Sequence, residues 1–178
     1  MSSGAIRRRG NTALSEGHNM ITNTVAAVPT SHLPALSDSS DGVTFTLLGA
    51  SIRLIARAID TDGRFTVFEQ TTPEGWGPPR HVHANEDEIV YVLDGTYEVS
   101  LGDERRTVSA GGCAILPRGT PHGFRNVGET PGRFVCVITP GGLEEYFLEI
   151  ARCSPPPSPA QLVGMAKPYG LTLLPPGA

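Results

Sequence analysis

The chain has 178 residues, 39% hydrophobic and 18% charged, a balance that suits one domain with a sizeable core and excludes a disordered or coiled-coil protein. A formal net charge of −4 leaves no electrostatic footprint for nucleic acid, and no run approaches the roughly 18 apolar residues of a membrane span, so a soluble protein is expected. Twenty-one glycines and sixteen prolines, with few long helical periods, point to an all-β body of many short strands.

Residues 1–41 read as a flexible arm. Arg7, Arg8 and Arg9 are followed by Gly10, Asn11, Thr12 and Ser15, with no continuous apolar stretch of the kind a secretory signal needs. Met20 reads as an alternative translation start, His18 and His32 as exposed non-ligands, and Val25 to Val28 as a segment able to pair as an edge strand on a partner subunit. The Pro- and Ser-rich stretch Pro29 to Ser40 is a linker into the body.

The body, residues 42–140, begins with three predicted strands, Phe45 to Leu48, Ile52 to Ile59 and Arg64 to Gln70, bounded by Gly49, Asp62-Gly63 and Thr72-Pro73. In the third, Phe65, Val67 and Glu69 share one face and Arg64, Thr66, Phe68 and Gln70 the other, and either face is able to line a barrel. The loop Pro73 to Pro79 carries the only tryptophan, Trp76, at the expected barrel mouth.

Two clusters of histidine and glycine follow. In the first, His81 and His83 stand at i and i+2 of a strand, so both imidazoles reach a common point, and Glu88 opens the run Glu88 to Leu93 that ends at Asp94-Gly95. In the second, the apolar run Cys113 to Leu116 stops at Pro117, turns through Gly119 and resumes as a strand at His122. Three histidines and one glutamate at these spacings can share one metal ion. Thr96 to Leu101 is expected to pair back on Glu88 to Leu93 as a hairpin, Gly102-Asp103 to make the next turn, and Arg133 to Thr139 to form a strand covered on both faces. Cys113 and Cys136 lie in apolar runs and read as small buried hydrophobes; with Cys153 they show no Cys-x-x-Cys spacing, which favours a reducing cytoplasm.

Residues 141–178 read as a helical segment packed on the barrel. Leu143, Tyr146, Phe147 and Ile150 recur at helical spacing with Glu144, Glu145 and Glu149 opposite, and Ser158-Pro159-Ala160 reads as the cap and first turn of a second short helix.

The clusters read Gly75-x5-His81-x-His83-x4-Glu88-x6-Gly95 and Gly111-x5-Pro117-x-Gly119-x2-His122-x3-Asn126, and they resemble the two motifs of the cupin superfamily at every position. The fifteen residues Thr96 to Ala110 between them, and the tail Tyr169 to Pro176, are similar to those of small single-domain bacterial cupins of the quercetinase-like type. The resemblance implies a double-stranded β-helix, or jelly-roll, barrel with one or two short C-terminal helices. It also implies one divalent transition metal per chain held by His81, His83, Glu88 and His122: iron, nickel or manganese, with zinc or copper as alternatives. Glu88 has two possible roles, a ligand and, because a carboxylate can swing off the ion, the catalytic base that deprotonates a substrate hydroxyl; Asn126 is expected to be structural, turning the end of its strand.

The activity implied first is an O2-using dioxygenase acting on a small aromatic, flavonol-like or enediol substrate. A non-redox cyclase, dehydratase or isomerase of a polyketide-like or sugar-like metabolite is the second reading, and a binding or sensing cupin without catalysis the third. Small cupins commonly bury an edge strand against a second copy, so a homodimer is expected.

Overall fold

The computed structural model describes residue 38 and residues 41–175. The expectations for His18, Met20, Val25 to Val28 and His32 lie outside the described residues. The described chain runs β1 (Val43–Leu47), β2 (Ala50–Ala56), β3 (Thr66–Thr72), β4 (His81–His83), β5 (Asp87–Asp94), β6 (Thr96–Leu101) and β7 (Glu104–Ser109). It continues β8 (Cys113–Leu116), β9 (His122–Asn126), β10 (Gly132–Thr139), α1 (Glu144–Ala151), α2 (Pro159–Ala166) and β11 (Leu171–Leu173). The strands form two antiparallel sheets, six-stranded in the order β1-β2-β3-β10-β5-β8 and five-stranded in the order β11-β4-β9-β6-β7. The fold is the all-β body that the composition indicated, arranged as the jelly roll that the resemblance implied.

Alternation along the strands sets the interior. Thr66, Phe68, Gln70 and Thr72 of β3 are buried, as are Glu88, Val90 and Val92 of β5 and Phe134, Cys136 and Ile138 of β10. The Phe68 and Gln70 face of the third strand is therefore the inner one. Tyr97, Phe124 and Phe134 meet edge to face, with ring centroids 5.0 to 6.1 Å apart, and with Val90, Val92 and Val99 they fill one half of the barrel. The other half stays open and holds both histidine clusters.

Several local expectations change. The strand read as Ile52 to Ile59 ends at Ala56, because residues 58–60 coil into a 3-10 turn in which Asp60 accepts the Arg57 backbone N–H; the next strand consequently starts at Thr66. The hairpin between Glu88–Leu93 and Thr96–Leu101 does not form. β5 pairs with β10 and β8, while β6 pairs with β7 and β9, so Asp94-Gly95 is a corner between the sheets. Gly95 has a φ of 86°, and a Cβ there would stand 2.8 Å from the Gly132 Cα, so the close crossing requires glycine.

Cys113 is exposed on the outer face of β8, unlike the buried Cys136. The outer face of β10 is only half covered: Val135 and Val137 remain partly exposed. Leu143, at the N-cap of α1, and the helix residues Tyr146, Leu148 and Ile150 pack inward, with Phe147 edge-on to Phe68, but Glu144 is buried too and not on the polar side. Ser158 caps α2 in a capping box with Gln161, as its sequence indicates. No helix among the described residues is long and apolar enough to cross a membrane.

Candidate metal centre

Both sheets contribute to one cluster. β4 is only three residues long, and its alternation buries His81 and His83 on the same side with Val82 between them. In the antiparallel pairing of β4 with β9, His81 stands opposite His122, so three imidazoles share one face of the five-stranded sheet. Glu88 approaches from β5 of the facing sheet. All four side chains are buried, and one donor atom from each lies within 4.8 Å of the others.

The imidazoles are oriented from behind. His81 Nδ1 is 2.8 Å from the Pro79 carbonyl and His122 Nδ1 is 2.9 Å from the Thr120 carbonyl, which makes each Nδ1 the N–H donor and turns the Nε2 lone pair inward. His83 Nδ1 stands 3.4 Å from Glu86 Oε2. The inward atoms have nothing to bond: His83 Nε2 and His122 Nε2 are buried without a hydrogen-bond partner, 3.6 and 3.4 Å from Glu88 Oε2. Buried polar atoms left unpaired are costly.

A metal ion fits these residues. Donors bonded at about 2.1 Å to one ion lie up to about 4.2 Å apart, so the cluster needs only a small contraction. Burial, and then the neighbouring His122, lower the pKa of His81 to about 4, which keeps it neutral and able to donate a lone pair. Burial pushes the Glu88 carboxyl up, but the facing His122, His83 and His81 imidazoles outweigh it and hold the group down to about 2, ionised. Three imidazoles and one carboxylate suit a divalent first-row metal. The other Glu88 oxygen, Oε1, accepts a hydrogen bond from the buried Cys136 thiol at 3.2 Å. Burial first, then the Glu88 charge, raise the pKa of that thiol well above its usual value.

A cavity of about 190 Å³ opens onto His81, His83 and Glu88. Its walls are aliphatic and aromatic, among them Phe68, Trp76, Phe124, Phe147, Leu171 and Leu173, and among the described residues neither arginine nor lysine lines it. Trp76 Nε1 donates to the Leu48 carbonyl and the Tyr146 hydroxyl to the Leu162 carbonyl. Gln70 keeps free hydrogen-bonding capacity: its Nε2 donates to Thr72 Oγ1.

The structure therefore brings His81, His83, Glu88 and His122 together as the spacings required, and Trp76 reaches the cavity as placed. Asn126 is structural: its side chain bonds the carbonyls of Thr72, Pro73 and Thr130 and the Gly128 N–H. Glu86, Cys136 and Gln70 were missed as parts of the site. Only Gln70 carried a usable signal, its alternation with Phe68.

A cupin domain model matches residues 68–138. The chain is 30% identical over 99 residues to quercetin 2,3-dioxygenase of Bacillus subtilis, a match covering 56% of this chain and 29% of that protein. It is 37% identical over 60 residues to polyketide synthase CurC of Streptomyces cyaneus, covering 34% of this chain and 39% of that one. The match thus spans well under half of either relative. Among solved structures, an RmlC-like cupin from Shewanella frigidimarina superposes with a TM-score of 0.55 at 15% identity, over 64% of this chain and 96% of that one. The family match falls on the strands that carry both histidine clusters, and the likeness to the solved cupin is one of fold, which together lead to one assignment: residues 68–138 form a cupin domain.

Proposed function

We propose that the protein is a metal-dependent dioxygenase that uses O2 on a small, uncharged aromatic substrate of flavonol or enediol type. The observation that carries this reading is the cavity: apolar and aromatic walls, without a lysine or arginine among the described residues, end on the histidine and glutamate cluster. A sugar phosphate or a carboxylate would find no cationic partner there. The likeness to quercetin 2,3-dioxygenase supports the same direction.

A divalent metal held by His81, His83, Glu88 and His122 would supply a Lewis acid with positions open to substrate and O2. The chain's own residues do the rest. Phe68, Phe124 and Phe147 hold a planar ring and exclude water. Gln70 offers the uncommitted amide that receives a polar substituent. Glu88, its carboxyl held ionised, takes the proton from the substrate hydroxyl.

The cavity walls also suit a polyketide-like molecule, and the likeness to CurC favours, as a second reading, a non-redox cyclisation or dehydration. Metal analysis of the purified protein combined with an oxygen-electrode screen of flavonols and enediols separates the two. Metal at one per chain with O2 consumed alongside substrate is expected. Substrate conversion without O2 uptake would establish the second reading instead. The Glu88→Gln protein, brought to full metal occupancy, is expected to lose roughly 10²- to 10⁴-fold in turnover while still binding substrate. Turnover at the parental rate would remove the base role.

A further inference from the structure

Cys136 sits on β10 where that strand pairs with β5, opposite Val90 and one inward position from Ile138, the partner of Glu88. It is fully buried among apolar side chains. A cysteine in such a place ordinarily packs as a small hydrophobe. Here its S–H has a specific acceptor: Sγ lies 3.2 Å from Glu88 Oε1, while Oε2, the other oxygen of the same carboxylate, faces His83 Nε2 and His122 Nε2. The two oxygens therefore have different surroundings. No other donor to Oε1 is present among the described residues, so the thiol alone distinguishes it.

We propose that Cys136 is a positioning residue that holds Glu88 to one-oxygen ligation, keeping Oε1 turned toward β10 and leaving a coordination position free for substrate. The proposal rests on the metal reading given above. A carboxylate at the edge of an ion can bind through one oxygen or chelate through both. Chelation requires the Glu88 carboxylate to rotate about its last carbon–carbon bond, and that rotation breaks the Cys136–Oε1 hydrogen bond. An S–H bond is weak to a neutral acceptor, but a buried carboxylate is the strongest acceptor available to it. In its absence the second oxygen is free to occupy the position that an incoming ligand needs.

Cobalt(II) as the metal probe and azide as the incoming ligand test this without any turnover assay. The parental protein is expected to take up one cobalt(II) per chain, with a visible spectrum that changes on azide addition. Cys136→Ala and Cys136→Val remove the donor, and Val also keeps the volume filled, so it carries the test should the smaller side chain impair folding. In both, visible absorption should fall as the carboxylate chelates, and the azide dissociation constant should rise by roughly tenfold, the lower end of what loss of an outer partner costs at a metal centre. Cys136→Ser restores a donor and should return both readouts to the parental values. Parental spectra and azide affinity in the Ala and Val proteins, or a Ser protein that behaves as they do, would overturn the proposal while leaving the metal centre in place. Failure of the parental protein to bind cobalt(II) would remove the metal reading, and this inference with it.

Discussion

At the scale of single residues, two buried glutamates that the sequence did not mark separate site from scaffold. Glu86 is buried with its Oε2 facing His83 Nδ1, and neither atom has a hydrogen bond of normal length. Ligation through His83 Nε2 would strengthen the acidity of the Nδ1–H, so the contact is expected to serve metal binding rather than folding of the free protein. Glu86→Ala is expected to weaken metal affinity by roughly 10- to 100-fold, measured by calorimetric titration, with little change in the melting of the metal-free protein. Equal metal affinity in the variant would show Glu86 to be incidental. Glu144 behaves in the opposite way: its carboxyl accepts from the Ala58 N–H, the Gly142 N–H and the Thr66 hydroxyl, joining α1 to the 3-10 turn and to β3. In Glu144→Gln the new NH2 group faces a backbone N–H whichever way the amide is turned, Ala58 on one side and Gly142 on the other. One unsatisfied buried donor costs about 1 to 3 kcal/mol, so urea unfolding should shift by that much while metal affinity stays parental. Neither glutamate was legible. Glu86 lies two residues before Glu88 in a polar turn, and Glu144 falls on the charged side of a helical wheel that says nothing about a buried hydrogen-bonding site.

Among the elements, what was legible followed from local periodicity, and what was not depended on which strand lies beside which. His81, His83 and His122 could be assigned because a two-residue repeat and a Pro-Gly turn each fix a direction within a few residues. The Asp94-Gly95 turn could not be resolved, because the same dipeptide serves a hairpin and a sheet-to-sheet corner, and only the partners of β5 and β6 decide. Partner strands likewise hid the Cys136–Glu88 contact, which joins residues 48 positions apart. β11 is the clearest case: three residues in a Leu- and Pro-rich tail pair along the whole of β4, with Leu171 opposite His83 and Leu173 opposite His81. The flanking bonds Ala84 N–H to the Gly170 carbonyl and Leu174 N–H to the Arg80 carbonyl extend that pairing. β4 meets β9 only at His81 and His122, so β11 supplies most of its strand partners. Deleting residues 171–178 should therefore loosen two of the three histidines. The expected result is loss of one-to-one cobalt(II) binding, with most of the β-sheet circular dichroism retained. Parental cobalt(II) affinity in the truncated protein would show that β4 holds its histidines without β11.

For the whole molecule, the outer face of the six-stranded sheet is the surface that bears on assembly. Val67, Val137, Ile89 and Ile115 stand opposite one another across β3, β10, β5 and β8, giving an apolar row across four strands. Tyr91 and Leu93 widen it along β5; Ile115 is 64% exposed and Tyr91 47%. The row runs to β8, an edge of the sheet. An exposed apolar edge is a hazard for a free monomer and a ready surface for pairing. We propose that a second copy of the chain covers it. One patch packed face to face on its own copy is self-complementary about a two-fold axis, so Ile115 and Tyr91 of each copy pack on the other's row. The metal cluster lies inside the barrel and does not take part. Light scattering at micromolar concentration should give twice the chain mass, and Ile115→Arg combined with Tyr91→Glu should give the single mass with cobalt(II) binding unchanged. A parental protein that scatters as a monomer would refute the assembly, and a double variant that remains a dimer would move the interface to another face.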